Sequence, residues 1–332
     1  MSDLGLFERR RQAASDPLHI RRRSQVPEVP VPLPHNIAIV SLTREVTTRS
    51  VLQVSAALQK QVTRDFVPIW GFPATVDAFE DLTSVPDDYH HVIIFSDPRE
   101  LIDLLEEQVG ELPAQVLLDE FQRGSITGIH LNELTRQPFA LVAASDAWTV
   151  VLSHEVLELL ADPSGNHLIA AAHPVDPERR VRYLIEVCDP CQAFWYPVNG
   201  VPVSDFYTPR YFDPVSVKGI RYSFTGSLQE PRQILEGGYL TFLDPLDSAL
   251  YQVRFGDSQP VRVAGLDVLA RSSAPLRTIV DTSPGTPQLS LATLRAAESA
   301  AAGENPYYGV NEAAEGTALR TAGALYSLAI GS

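Results

Sequence analysis

The chain has 332 residues, is 45% hydrophobic and carries a formal net charge of −15. That bounds it to one or two globular domains with a sizeable core, and its acidity argues against nucleic-acid binding, which rests on Lys and Arg against phosphates. No apolar run reaches the ~18–20 residues of a membrane-spanning helix, and two cysteines are too few for a disulfide-stapled scaffold. The opening MSDLGLFERRRQ has no apolar stretch behind its charges, so no cleavable signal is visible. The expectation is a chain without membrane or nucleic-acid partner, cytoplasmic as synthesised, with export without a signal peptide left open.

Residues 1–34 read as a basic, Pro-rich tail. Arg9–Arg11 and Arg21–Arg23 are basic triplets, and QVPEVPVPLP (25–34) favours extended, poorly packed chain. We expect a flexible arm, with docking onto an assembly partner as the functional alternative. Order is expected from 35. IAIVSL (37–42) reads as a buried strand. Residues 48–63 repeat Val51, Val54, Leu58 and Val62 at helical spacing. DFVPIW (65–70) and HVIIFS (91–96) read as strands, and 98–122 as helical with a break near Gly110–Pro113. TGIHL (127–131) and PFALVAA (138–144) follow as strands, then a helix at 147–161 closed by Asp162-Pro163. Beyond it, 181–187, 193–203, 250–255 and 260–270 carry strand signal. Between them, SDFYTPRYFDP and LEGGYLTFLDP read as loop-rich. Residues 283–332 are an Ala/Gly-rich extension. The order of elements predicts an α+β fold, with 35–282 as one domain whose C-terminal half is loop-rich and β-containing.

The helix at 147–161 carries the chemistry. Trp148, Val150, Val151, Leu152, Val156, Leu157, Leu159 and Leu160 leave it no polar face, which marks it as buried. Yet it holds Ser153, His154, Glu155 and Glu158, and ionisable groups without partners are costly to bury. His154 and Glu158 stand four apart on one face, with Glu155 beside them. This is HExxE, a relative of HExxH, in which two ligands at i and i+4 bind zinc and the intervening Glu is the base. A carboxylate is an accepted zinc ligand, so Glu158 can stand for the second His, at the expense of a weaker Lewis acid. The competing reading is a pair of ordinary helical i,i+4 contacts. Candidate third ligands lie in Glu186-Val187-Cys188-Asp189-Pro190-Cys191: Glu186 or Asp189, with His173 as a fallback. The CDPC cysteines admit three readings: a redox pair, a structural disulfide or buried thiols, or metal ligands. Asp162 reads as a helix cap.

ALQKQVTRDFVPIWG (57–71), WTVVLSHEVLELLADP (148–163), EVCDPC (186–191), VSDFYTPRYF (203–212) and LEGGYLTFLDP (235–245) together resemble a family of largely uncharacterised bacterial zincin-type metallopeptidases. That family has an SHExxExxxDP helix followed by an ExxDxC strand. The resemblance covers about 37–245. It implies a zincin-like mixed sheet packed on an active-site helix, with the strand at 138–144 bordering a cleft that binds extended peptide. It implies one Zn2+ per chain held by His154, Glu158 and Asp189 or Glu186, with Glu155 as general base on a metal-activated water and a peptide or protein as substrate. Tyr207, Tyr211, His130 and Arg210 are the candidate transition-state donors. The segment 98–126 and both tails depart from the family pattern. The alternative is a non-catalytic structural or cargo protein of a larger assembly that keeps the scaffold and docks through 1–34.

Overall fold

The computed structural model describes residues 35–102, 105–106, 111–123, 127–131, 138–269, 275–281 and 283. The expected tail at 1–34 and all of the expected extension beyond Ser283 lie outside them.

Strand β1 (His35–Ser41) leads into helix α1 (Thr48–Lys60), which Thr47 caps by accepting from the Ser50 N–H. The helix does not end at Lys60. It widens into a π-helical stretch (Gln61–Phe66) and a short α2 (Val67–Trp70), closed by Gly71 with φ 77°. The expected strand at 65–70 is therefore helical. The cause is tertiary: Gln61, Val62, Asp65 and Phe66 are all buried here, an apolar-polar mixture that neither a strand nor a regular helix would place on one face. Strands β2 (Ala74–Phe79), β3 (Tyr89–Phe95), β4 (Gly128–Leu131) and β5 (Phe139–Ala143) complete a sheet of order β2-β1-β3-β5-β4. All pairs are parallel except β4 with β5. Strand β5 is therefore interior, and the edge on this side is β4. This corrects the expectation that 138–144 borders the cleft.

Both faces of the sheet are covered, as near-continuous apolar strands require. Ile93, Phe95, Ile129, Leu131, Phe139 and Leu141 face Leu117, Leu118 and Phe121 of α3 (Glu111–Arg123). Ile37, Ile39, Val92, Ile94 and Val142 join Val54 and Leu58 of α1 and the apolar residues of α4 (Trp148–Ala161) in the main core.

The second sheet is antiparallel throughout. It comprises β6 (Leu168–Ala172), β7 (Arg180–Leu184), β10 (Tyr239–Asp244), β11 (Ala249–Arg254) and β12 (Val261–Ala264), in the order β12-β11-β10-β7-β6. Val181, Tyr183, Leu240 and Phe242 bring it into the same core as α4. The expected single strand at 193–203 is a hairpin, β8 (Trp195–Val198) and β9 (Val201–Ser204). Its turn is Asn199-Gly200 with φ 52° and 79°, the two-residue loop that matches strand twist. Two short helices follow, α5 (Leu266–Leu269) and α6 (Leu276–Asp281). The protein is thus α+β, with a mixed sheet, an antiparallel sheet and a hairpin around one buried helix. Among the described residues no helix is long and apolar enough to cross a membrane.

Candidate metal centre

Every residue of α4 from Val150 to Ala161 is buried. Its back is held by polar bonds. Ser153 Oγ donates to Gln61 Oε1 at 2.8 Å and accepts from the Ser204 N–H, while Gln61 Nε2 reaches the Ser204 carbonyl. Its C-terminal turn is held by Asp162, which accepts from Ser164 Oγ and from the His167 N–H. Asp162 is a cap, as expected.

On the other side, His154 Nε2 lies 3.3 Å from Glu158 Oε2 and 3.2 Å from Asp189 Oδ1. Asp189 opens a short 3-10 turn, Asp189–Cys191, reached from β7 through the buried segment 185–188. That turn is seated by the segment at 235–239. The Leu235 N–H donates to the Pro190 carbonyl, and a Cβ on Gly238 would fall 2.6 Å from the same oxygen. Only a glycine lets the two backbones approach so closely. Glu158 is oriented from two sides: the Cys188 N–H donates to Oε1 at 3.1 Å, and the Arg277 guanidinium meets Oε2 at 2.5 Å. Arg277 also faces Glu186 Oε1 at 3.6 Å and Asp281 Oδ2 at 3.2 Å. Glu155 lies against β4, where Gly128 leaves it room: a Cβ there would sit 2.6 Å from Glu155 Oε1 and 2.4 Å from Val151 Cγ1.

His154, Glu155, Asp189, Arg277 and Asp281, with Tyr239, line a cavity of about 10 Å³, the size of one water or one ion. Around it five buried carboxylates, Glu155, Glu158, Glu186, Asp189 and Asp281, face two cationic side chains, His154 and Arg277. The imbalance appears in the proton affinities. Burial pushes Glu155 up to about 8, against the pull of His154 and Arg277. Burial likewise raises Asp281 to about 7, and burial with the neighbouring Asp189 charge raises Glu186 well above the usual range. Burial works against a charged His154, yet Glu158 and Asp189 outweigh it and hold the imidazole well above its ordinary value.

These residues fit a metal ion. Ligands about 2.0–2.1 Å from a tetrahedral zinc stand about 3.3 Å apart, and the two donor separations from His154 match that. Donor atoms of His154, Glu158 and Cys188 also lie within 4.8 Å of one another, so this buried group could hold a metal. Both Glu186 oxygens and Asp189 Oδ2 have no hydrogen-bond partner among the described residues, which leaves acceptor capacity for a cation in this buried cluster.

Of the two candidate third ligands, Asp189 comes to His154, whereas Glu186 faces Arg277. Cys188 and Cys191 are free, buried thiols. Burial first, and then the Glu158 charge for Cys188 and the Asp205 charge for Cys191, raise both well above the ordinary thiol range, the opposite of a redox-active pair. Tyr211 donates to the Gln233 carbonyl, and its ring stacks on Tyr207 at 4.5 Å; neither tyrosine lines the cavity. Arg210 is half-exposed and pairs with Asp213. His173 caps its own turn by accepting from the Val175 and Asp176 N–H groups. The His130 side chain lies outside the described residues. Sequence reasoning missed Arg277 and Asp281: LRTIVD shows nothing of the acidic cluster that its arginine enters. No family model, curated protein or solved structure matches the chain.

Proposed function

We propose that this protein is a metal-dependent hydrolase of the HExxE type, with a zincin-like arrangement of edge strand and buried helix, and that it acts on peptide bonds. The observation that carries the reading is the convergence of Glu158 and Asp189 on His154 Nε2, with His154, Asp189 and the Glu155 carboxylate lining one small cavity. His154, Glu158 and Asp189 would hold the ion. Cys188, within reach of two of them, favours zinc over hard cations such as magnesium or calcium. When bound, the ion supplies Lewis acidity and lowers the pKa of water. The rest belongs to the chain. Glu155, lining the same cavity, is the group placed to take and return a proton. The Cys188 N–H fixes the Glu158 carboxylate. Strand β4, the edge of its sheet among the described residues, is the strand placed to pair with an extended peptide.

The second reading, a non-catalytic scaffold docking through 1–34, draws on the size of the cavity, which admits no substrate side chain. One experiment separates the two. Metal content is measured by mass spectrometry for the native sequence and His154→Ala, and peptide hydrolysis for the native sequence and Glu155→Gln. The hydrolase reading expects about one zinc per chain, lost in His154→Ala, and a roughly 10²–10⁴-fold loss of rate in Glu155→Gln with zinc retained. No metal after zinc is added back, or full activity in Glu155→Gln, would sink it.

A further inference from the structure

Arg277 reaches the site from α6, a helix of six residues that cannot persist by itself. Its other anchors tie it to the turn after α4 and to the second sheet. The Leu276 N–H donates to Asn166 Oδ1, the Arg277 N–H donates to the Gly165 carbonyl, and Val280 joins Leu184, Leu250 and Ala264 in a small apolar cluster. The helix packs beside β4, and its Arg277 and Asp281 form one wall of the cavity. The guanidinium meets Glu158 at Oε2, the oxygen that also faces His154 Nε2. Among the described residues Arg277 Nη1 has no hydrogen-bond partner although the side chain is buried; Glu186 Oε1 faces it at 3.6 Å.

Two cations directed at one carboxylate oxygen repel each other, and in a buried site that repulsion is weakly screened. We propose that the Arg277 guanidinium is an exchangeable counter-ion, which competes with a divalent cation for Glu158 Oε2, so that filling the site loosens α6. The inference rests on the metal reading above and concerns how that site is regulated. Linkage makes the effect reciprocal: whatever holds α6 down weakens metal binding, and metal weakens the hold on α6. Loss of α6 would open the wall of the cavity beside Glu155. An alternative role for Arg277, orienting Glu158 as a ligand, predicts the opposite sign, because removing such a partner weakens metal binding 10–100-fold.

The test uses the full chain. Zinc affinity is measured by competition with a chromophoric chelator for the native sequence, Arg277→Met and Arg277→Lys, with circular dichroism to confirm folding. We expect Arg277→Met to bind zinc at least tenfold more tightly and Arg277→Lys to stay near the native value. Equal or weaker binding by a folded Arg277→Met, while the native chain binds one zinc, overturns the proposal and leaves the metal reading intact. Hydrogen exchange on the native chain gives the second arm and decides alone if Arg277→Met does not fold. Zinc should speed exchange of the 276–281 amides, whereas unchanged or slower exchange there overturns the proposal. A native chain that binds no zinc in either arm removes the metal reading, and this inference with it.

Discussion

His35 Nδ1 and His90 Nε2 lie 3.2 Å apart, and only one proton fits between them. Burial, and then the His35 charge, lower His90 from 6.5 to about 4. The folded state therefore holds His90 neutral over a range in which the unfolded chain protonates it. The stability this contributes is fully present above about pH 6.5 and is lost as pH falls towards 4. Melting temperature should drop through that window, and His90→Gln should flatten the drop; a series of thermal melts from pH 4.5 to 7.5 measures both. An equally steep drop in the variant would assign the acid sensitivity elsewhere. The HExxE residues were legible because their spacing is local and a buried helix made their charges conspicuous. Arg277 was not, because one arginine in a short apolar segment carries no trace of the distant carboxylates that bind it.

Between α4 and β4 the fit depends on a missing side chain. Gly128→Ala would drive a methyl into Val151 and Glu155, where backbone and helix are both packed. We expect a loss of about 1–3 kcal/mol in urea denaturation, together with a changed Glu155 position read as lowered hydrolysis with zinc content unchanged. A variant as stable and active as the native chain would show that β4 is free to move. Element reading from sequence succeeded where period and length agreed, as in β1, β3, β5, α1 and α4. It failed at 65–70, where a π-helical stretch buries Gln61 and Asp65 alongside Val62 and Phe66. It failed also at β10, because the glycines and proline of LEGGYLTFLDP suggested a loop. Gly238 is instead where the chain crosses the Asp189-Pro190 turn before the strand begins.

Over the whole molecule, one core encloses α4 from both sheets and both thiols lie within it. A thiol reagent should therefore find no reactive cysteine in the native protein and two in denaturant. Rapid native labelling, or fewer than two thiols on unfolding without reductant, would contradict the free, buried cysteines seen here. The α+β class was legible from the order of elements. The pairing of the sheets was not, since the pairing of β3 with β5, which leaves β4 at the edge, and that of β7 with β10 join segments far apart in the chain.

The cavity takes its lining from β4, α4, the turn at Asp189, Tyr239 and α6, segments spread from Gly128 to Asp281. Such a site has high contact order, so it forms late and slowly once each loop has closed. During synthesis the carboxylates of α4 and the Asp189 turn emerge well before Arg277. Until residue 277 is made and docked, those acids can be buried only by taking up protons or a cation from solution. The last described helix to be synthesised thus completes the charge balance of an acidic cluster made well before it, and the tempo of folding should respond to free zinc.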